Sequence, residues 1–557
     1  MKYLKLSFWV MLIFFVSSCT KKLDQLLVDP NSPTPDAADV DLYLNTVQLN
    51  FRSFYSTASD YGGQLTRQQT WYGPLYSNSY QPVSFNGMWG SAYTGVVKHV
   101  DALIPIAEEQ KKYIQEGMAK LLKAYVMATL VDDFGNVPYS EADLGVANIN
   151  PKTDEGSAVY DAVLALIDDA ISNLNSLDAA NGPTNDLFYG GDASKWVTFG
   201  NTLKLKLLMQ KRLVDPSVKS QIEAILSDGD IISSSDQDFE YKYGTNLSAP
   251  DNRHPHYASN YTSSGAGDYI STYFLYIVAA EKTGGAVSST DPRRRYYFYR
   301  QISDYTAATS QTCPCYFEST PAHYTADMPF CLIGAGYWGR DHGDNSGISP
   351  DGTLRTAWGL YPAGGRFDES AFESIADRGE GAGGKGIDPI WLSSYSYFLQ
   401  AEAAIALDIT TNGDARSLLE EGVRASIDKV LGFPTAIGYG INPAYVPSQT
   451  AIDNYVNIVL GLYDDATSDD ERMNVIMKEY LIAAWGNGIE PYNNYRRTGK
   501  PDNMQYAKST PNPGFFIRSF FYPSDFVNNN INAPAQKNLG LAADKVFWDN
   551  NPDNFIK

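Results

Sequence analysis

Two blocks of helical periodicity, split by a long irregular stretch, predict a helical scaffold that carries a large loop-rich lobe. Three observations support this. Apolar residues recur at three- and four-residue spacing between residues 114 and 213, and again between 390 and 484. Residues 228–388 are rich in Gly, Ser, Asp and Tyr and show few such stripes. The last 60 or so residues are again irregular, with many Asn and Pro.

The elements follow in order. Ile114 to Asp132 sets Met118, Leu121, Leu122, Tyr125, Val126 and Thr129 on one face, and Gly135 and Pro138 end the helix. Residues 154–174 repeat the pattern through Val159, Val163, Leu166, Ala170 and Leu174. Ser194 to Leu213 is a third helix, and Pro216 opens a fourth. In the second block, WLSSYSYFLQAEAAIAL reads as a helix beginning near Ile390. The next helix has Asp414 as its cap and a Leu419, Val423, Ile427 stripe. Ser468 and Glu471 read as a capping box for a helix that buries Met473, Ile476, Met477, Tyr480, Leu481 and Ala484. The domain reading is a leader over 1–18, a polar tether over 19–40 and one domain over 41–557. Within that domain the helical blocks are 41–227 and 389–490, the lobe is 228–388 and the tail is 491–557.

The start of the chain has its own logic. MKYLK carries two lysines, and Leu6 to Val16 is an 11-residue run interrupted only by Ser7. That is a secretory signal, too short for the roughly 20 apolar residues of a spanning helix. Val16-Ser17-Ser18-Cys19 is similar to a bacterial lipobox, which makes Cys19 a lipid-attachment site; the alternative is a plain signal with an incidental cysteine. Net charge is −21, and loss of Lys2 and Lys5 with the leader makes it −23. A body this acidic is poorly suited to nucleic acid or to spreading over anionic lipid. Five histidines leave little material for histidine-based metal or acid–base sites. No cofactor is expected.

Several motifs invite chemical readings. DRGEGAGGKG nearly spells a phosphate loop through Gly379, Gly384 and Lys385, but Gly386 stands where Ser or Thr belongs, so a flexible loop is expected. Cys313, Cys315, His323 and Cys331 are a possible zinc set. In an oxidising compartment a disulfide from Cys331 to Cys313 or Cys315 is favoured, leaving one thiol over. Asp341, Asp344, Asn345 and Asp351 offer oxygen ligands for calcium, although turn formation explains the same residues. PRRRYYFYR, residues 292–300, reads as a solvated face with an anion grip as the alternative. No nucleophile elbow is present, and an enzyme is not expected. The aromatic clusters carry the stronger chemistry: Trp71, Tyr72, Tyr76, Tyr80, Phe85 and Trp89, then Trp338, Arg340, Trp358 and Tyr361. Rings among amides and hydroxyls suit sugars and peptides. The competing reading is that these rings pin loops to the core.

Four stretches together resemble the SusD/RagB family of outer-membrane lipoproteins. They are AKLLKAYVMATLVDDFGNVPYSEA, SYSYFLQAEAAIAL, KEYLIAAWGNGIEPYNNYRRTGKP and FFYPSDFVNNNINAP, the last with Asp525 and Phe526 altering its acidic position. The tether and the VFWDNNP ending resemble the type 2 branch. The resemblance implies an all-α fold with tetratricopeptide-type helix pairs plus the irregular lobe. It implies capture of an oligosaccharide or peptide without chemistry, and delivery to a SusC-like TonB-dependent β-barrel transporter. It places the chain at the cell exterior, anchored in the outer membrane through Cys19. The alternatives are a lipid-anchored hydrolase of glycans or peptides and a purely structural outer-membrane protein.

Overall fold

The computed structural model describes residues 39–553 and 555, except 71, 72, 74, 289, 306–308, 310, 347–350, 511–515 and 539–543. The leader, Cys19 and most of the tether, like Trp71 and Tyr72, lie outside the described residues.

The scaffold begins with α1, Val40–Leu65, which the sequence stripes named above do not include. The Asp39 carboxylate accepts from the Asp41 N–H at 2.9 Å and caps it. Leu44, Val47, Phe51, Phe54, Tyr55 and Ala58 form its buried stripe. α2, Lys98–Glu109, continues from a π-helical turn over Ser91–Val97. α3, Tyr113–Phe134, departs from the one-faced helix that its spacing predicts. Nearly every residue from Gln115 to Phe134 is buried, because α1, α2 and α4 (Gly156–Leu174) surround it. Its buried Lys120 is paired with Glu116 and Asp169, each at 2.5 Å. α5, Ala193–Lys211, starts at the Asp192 cap, and α6, Val218–Asp228, follows Pro216. The eight-residue α7, Thr272–Ala279, lies in the lobe.

The second block holds α8 (Ser393–Leu407), α9 (Ala415–Ile437), α10 (Gln449–Asp465), α11 (Asp469–Ala483) and α12 (Ile489–Thr498). Asp414 caps α9 through the Ser417 N–H at 2.8 Å. At α11 the Ser468 hydroxyl accepts from the Glu471 N–H at 3.2 Å. The Glu471 carboxylate reaches one residue further back than a capping box requires, to the Thr467 N–H at 2.6 Å. α12 crosses α1 at glycines. A Cβ on Gly488 would lie 2.0 Å from the Gly63 nitrogen and 2.1 Å from the Ser59 carbonyl oxygen. Gly488→Ala is therefore expected to cost roughly 1–3 kcal/mol by overpacking, read as an earlier urea midpoint, whereas the same change at Gly432, which lies inside α9 and meets no atom within 4 Å, should move the midpoint slightly later.

Across the lobe run three antiparallel two-stranded ladders. β1 (Phe239–Lys242) pairs with β6 (Ile387–Trp391), β2 (Phe298–Tyr299) with β5 (Ala357–Trp358), and β3 (Leu332–Gly334) with β4 (Tyr337–Trp338). The first two pairings join segments far apart in sequence, and β6 runs directly into α8. The basic run at 292–300 is neither a solvated face nor an anion grip. Arg293 is fully buried, its guanidinium bound to Asp291, Glu479, Tyr455 and Ser426. Arg300 is buried against Asp368 at 2.6 Å. Arg293 is a strut between lobe and scaffold, and Arg300 braces the lobe internally through Asp368, Ser370 and the Ala335 carbonyl.

Candidate functional site

Two lobe segments and the stretch that follows α1 converge on one half-exposed polar face. Gln69 bridges to Ile270, and Ser271 bridges to Arg340. The Thr70 N–H donates to the Tyr269 carbonyl at 3.0 Å, and its hydroxyl donates to the Arg340 carbonyl at 3.0 Å. These backbone bonds fix where the side chains of Tyr269 and Arg340 begin. The Arg340 guanidinium lies 4.3 Å from the Tyr269 ring centroid, and Arg355 lies 3.7 Å from the same ring. Asp351 binds both the Tyr269 hydroxyl and Arg355. Burial pushes the Tyr269 phenol up, against the pull of Arg355 and Arg340.

Beside this stack sits His256. Its Nε2 is 3.1 Å from the Asp60 carboxylate and its Nδ1 is 3.1 Å from Asp268. Burial would depress the imidazolium, but Asp60 and Asp268 overturn that and raise it to about 10. Asp268 also accepts from Ser259 and Asn260 and is held below its usual range, against the effect of burial, by His256. At neutral pH this group is an imidazolium clamped by two carboxylates, so His256 has no lone pair to act as a base. The face can donate from Arg340 and accept at Asp60 and Asp268, while the buried Tyr269 ring supports Arg340 from behind. That set suits hydroxyl-rich or amide-bearing ligands.

The sequence-predicted residues divide. Arg340 is part of this face. Trp358 is not on it: fully buried, it lies behind His256 with ring centroids 3.9 Å apart and planes 7° apart, and stacks on Trp485 at 3.9 Å on its other side. Tyr361 is in the core against Tyr297 and Phe433. Tyr76 and Tyr80 are buried among Phe516, Phe520 and His342, and the half-buried Trp89 packs on Phe134 and Phe526. Trp338 belongs to a small second core with Tyr305 and the three lobe cysteines. These rings pin loops to the core and offer a ligand little or no surface. Asp60, His256, Asp268 and Tyr269 were not singled out. The available signal was HPH at 254–256, two of only five histidines in the chain.

The three lobe sulfurs lie together, within 4.8 Å of one another, but the other proposed metal ligands do not join them or each other. Cys315 and Cys331 form a disulfide, and Cys313 is a buried thiol with its sulfur 3.6 and 3.8 Å from theirs. Burial pushes that thiol up to about 11. His323 does not join them; its Nε2 donates to the Ala507 carbonyl at 2.8 Å. Among the calcium candidates, Asp341 accepts from Gln505 and the Cys331 N–H, Asp344 faces Lys508 at 3.2 Å, Asp351 holds Arg355 and Tyr269, and Asn345 is exposed. Each carboxylate turns to a different protein partner, so they form no ligand cage.

Residues 36–314 match the family model described as starch-binding associating with outer membrane, and residues 385–548 match the one described as SusD and RagB outer membrane lipoprotein. No curated protein matches. Among solved structures, a chitin-binding SusD homolog from Flavobacterium johnsoniae is similar at 18% identity and a TM-score of 0.60, over 92% of this chain and 100% of that one. A SusD homolog from Bacteroides fragilis aligns at 17% identity and 0.64, over 92% and 99%. A SusD/RagB family protein from Bacteroides thetaiotaomicron aligns at 20% and 0.63, over 92% and 100%. Among the described residues no helix is long and apolar enough to cross a membrane. Two family models that together span most of the domain, and a shared helical fold, place this chain in the SusD/RagB family, its N-terminal half in the type 2 branch.

Proposed function

We propose that the protein is a lipid-anchored, cell-surface glycan-binding protein that captures an oligosaccharide at the Arg340–Tyr269 face and hands it to a TonB-dependent barrel. The observation that carries this reading is the match to the starch-binding family model over 36–314. That span holds Asp60, Thr70, His256, Asp268 and Tyr269. Trp71 and Tyr72 follow Thr70 directly in the chain and are the rings we propose to stack on the sugar. Lipidation at Cys19 leaves about 20 residues of tether before Asp39, enough to span several tens of ångströms. The protein is proposed to bind without turnover.

The test is titration of the purified protein with neutral oligosaccharides, chitooligosaccharides first. Arg340→Ala is expected to weaken binding about tenfold, the order of one lost charged hydrogen bond. Arg340 also stacks on Tyr269, so the unfolding midpoint is measured alongside and affinity compared per folded molecule. Copurification of a stoichiometric β-barrel from native membrane would support delivery. A retained peptide would reassign the cargo, and sugar release that Asp60→Asn abolishes would favour the hydrolase.

A further inference from the structure

The glycine-rich stretch from Arg378 to Gly386 plays no part in the reading above, and it is not a loose loop. It is a packed turn leading into β6, set against the C-terminal end of α9. Between turn and helix opens a two-lobed cleft of about 370 and 440 Å3, the lobes sharing Lys385 and Ile437. The inner lobe has apolar walls from Ile387 and Phe433, and the outer lobe is lined by Arg378, Lys385, Tyr439 and glycines.

The glycines sort into two kinds. Gly381, Gly384 and Gly386 are needed for packing, since a Cβ there would lie 2.3 Å from Gly365, 2.7 Å from the Tyr257 ring and 2.4 Å from the Pro362 oxygen. A Cβ on Gly379 would meet nothing within 4 Å, and one on Gly383 only Thr245, at 3.4 Å. Packing does not require these two: Gly383 sits at a φ of +66°, which favours glycine, and Gly379 leaves the cleft open.

The charge is unusual for a chain of −21. The residues lining the outer lobe include two cations and no carboxylate. Carboxylates nearby are already matched: Asp251 with Arg253 at 2.7 Å, Glu373 and Glu380 with Arg366 at 2.6 and 3.2 Å, and Glu240 with Lys429 at 2.6 Å. Asp377 accepts from the Gly379 N–H at 3.3 Å, and Asp428 lines only the inner lobe. The Lys385 ammonium donates to the Ile437 carbonyl at 2.8 Å, which holds it at the mouth without neutralising it. Arg378 makes no side-chain ion pair among the described residues.

We propose that this cleft is a second saccharide site, selective for a sugar carrying a carboxylate or sulfate. The anionic group meets Arg378 and Lys385, and the ring meets Tyr439. The site is independent of the Arg340 face, so the two can fail separately.

The experiment titrates the full chain with trigalacturonic acid, a chondroitin sulfate tetrasaccharide and a neutral chitotetraose. The expected result is salt-sensitive binding of at least one acidic probe. R378Q/K385Q should weaken it at least tenfold, and so should Gly379→Leu, which fills the cleft. Arg340→Ala should leave it unchanged, and chitotetraose binding should survive R378Q/K385Q. Absence of acidic-probe binding, binding that survives both cleft variants, or equal binding of inorganic sulfate alone would overturn the proposal.

Discussion

Arg293→Met is expected to destabilise the protein by about 3–5 kcal/mol, the usual cost of removing one partner from a buried ionic network. The guanidinium is fully buried and donates to Asp291 at 2.9 Å, to Glu479 at 3.2 Å, and to Tyr455 and Ser426 at 2.8 and 2.9 Å. It joins the lobe segment at 291–293 to α9, α10 and α11. Burial raises the Asp291 carboxyl, but Arg293 reverses this and holds it below its usual range. Without Arg293, Asp291 keeps Tyr455 and the field of Lys282 in a dry site but loses its paired guanidinium, while Glu479 retains Lys282 at 2.8 Å. The sign of the pH effect follows from a depressed carboxyl: the stability is present above its ordinary range near 3.8 and lost on acidification. Urea unfolding at pH 7 and at pH 3, below the ordinary carboxyl value of 3.8, should show a gap between parent and variant that narrows at the lower pH. Adding Asp291→Asn and Glu479→Gln should recover part of the loss. A single-variant cost below about 1 kcal/mol, the range of surface pairs, would show that the network is inert.

The same arginine shows what the sequence could and could not tell. Local features were legible: the Asp414 and Ser468 caps depend on residues three apart, and both form where the sequence puts them. α1 was less visible. Its stripe is broken by the buried Gln48 and Ser59 and ends in Gly62–Gly63, glycines that serve the crossing with α12 rather than a turn. Charge runs were misleading because sequence shows a charge and not its partner. Arg293 finds Glu479 186 residues away, and Arg497 finds Glu402 95 residues away. The site suffered likewise: Trp358 reads like a stacking platform until the rings of His256 and Trp485 are seen covering both its faces. Arg340 was legible as a polar group among rings. Tyr269, its partner, comes from a segment 71 residues earlier.

Trp358→Ala separates those two roles by which quantity moves. As a core ring in a column from His256 through Trp485 to Phe274, it should cost about 3–5 kcal/mol of stability, with affinity per folded molecule little changed. Weak binding at an unshifted unfolding midpoint would instead mean that the ring meets ligand. The column also makes the site pH-sensitive through His256. Its folded value is raised from 6.5 to about 10, so its stabilisation is full below pH 6.5 and is lost as pH climbs toward 10. At about 1.4 kcal/mol per unit, that shift sets a ceiling of roughly 5 kcal/mol on the pH-dependent part. His256→Gln should flatten the stability profile between pH 6.5 and 10, and the parent should lose its advantage over the variant across that window. A parent profile that stays flat there would mean that Asp60 and Asp268 do not hold the imidazolium. The ring behind them would then be packed against a neutral histidine, and the face would lose the fixed charge that orders its two carboxylates.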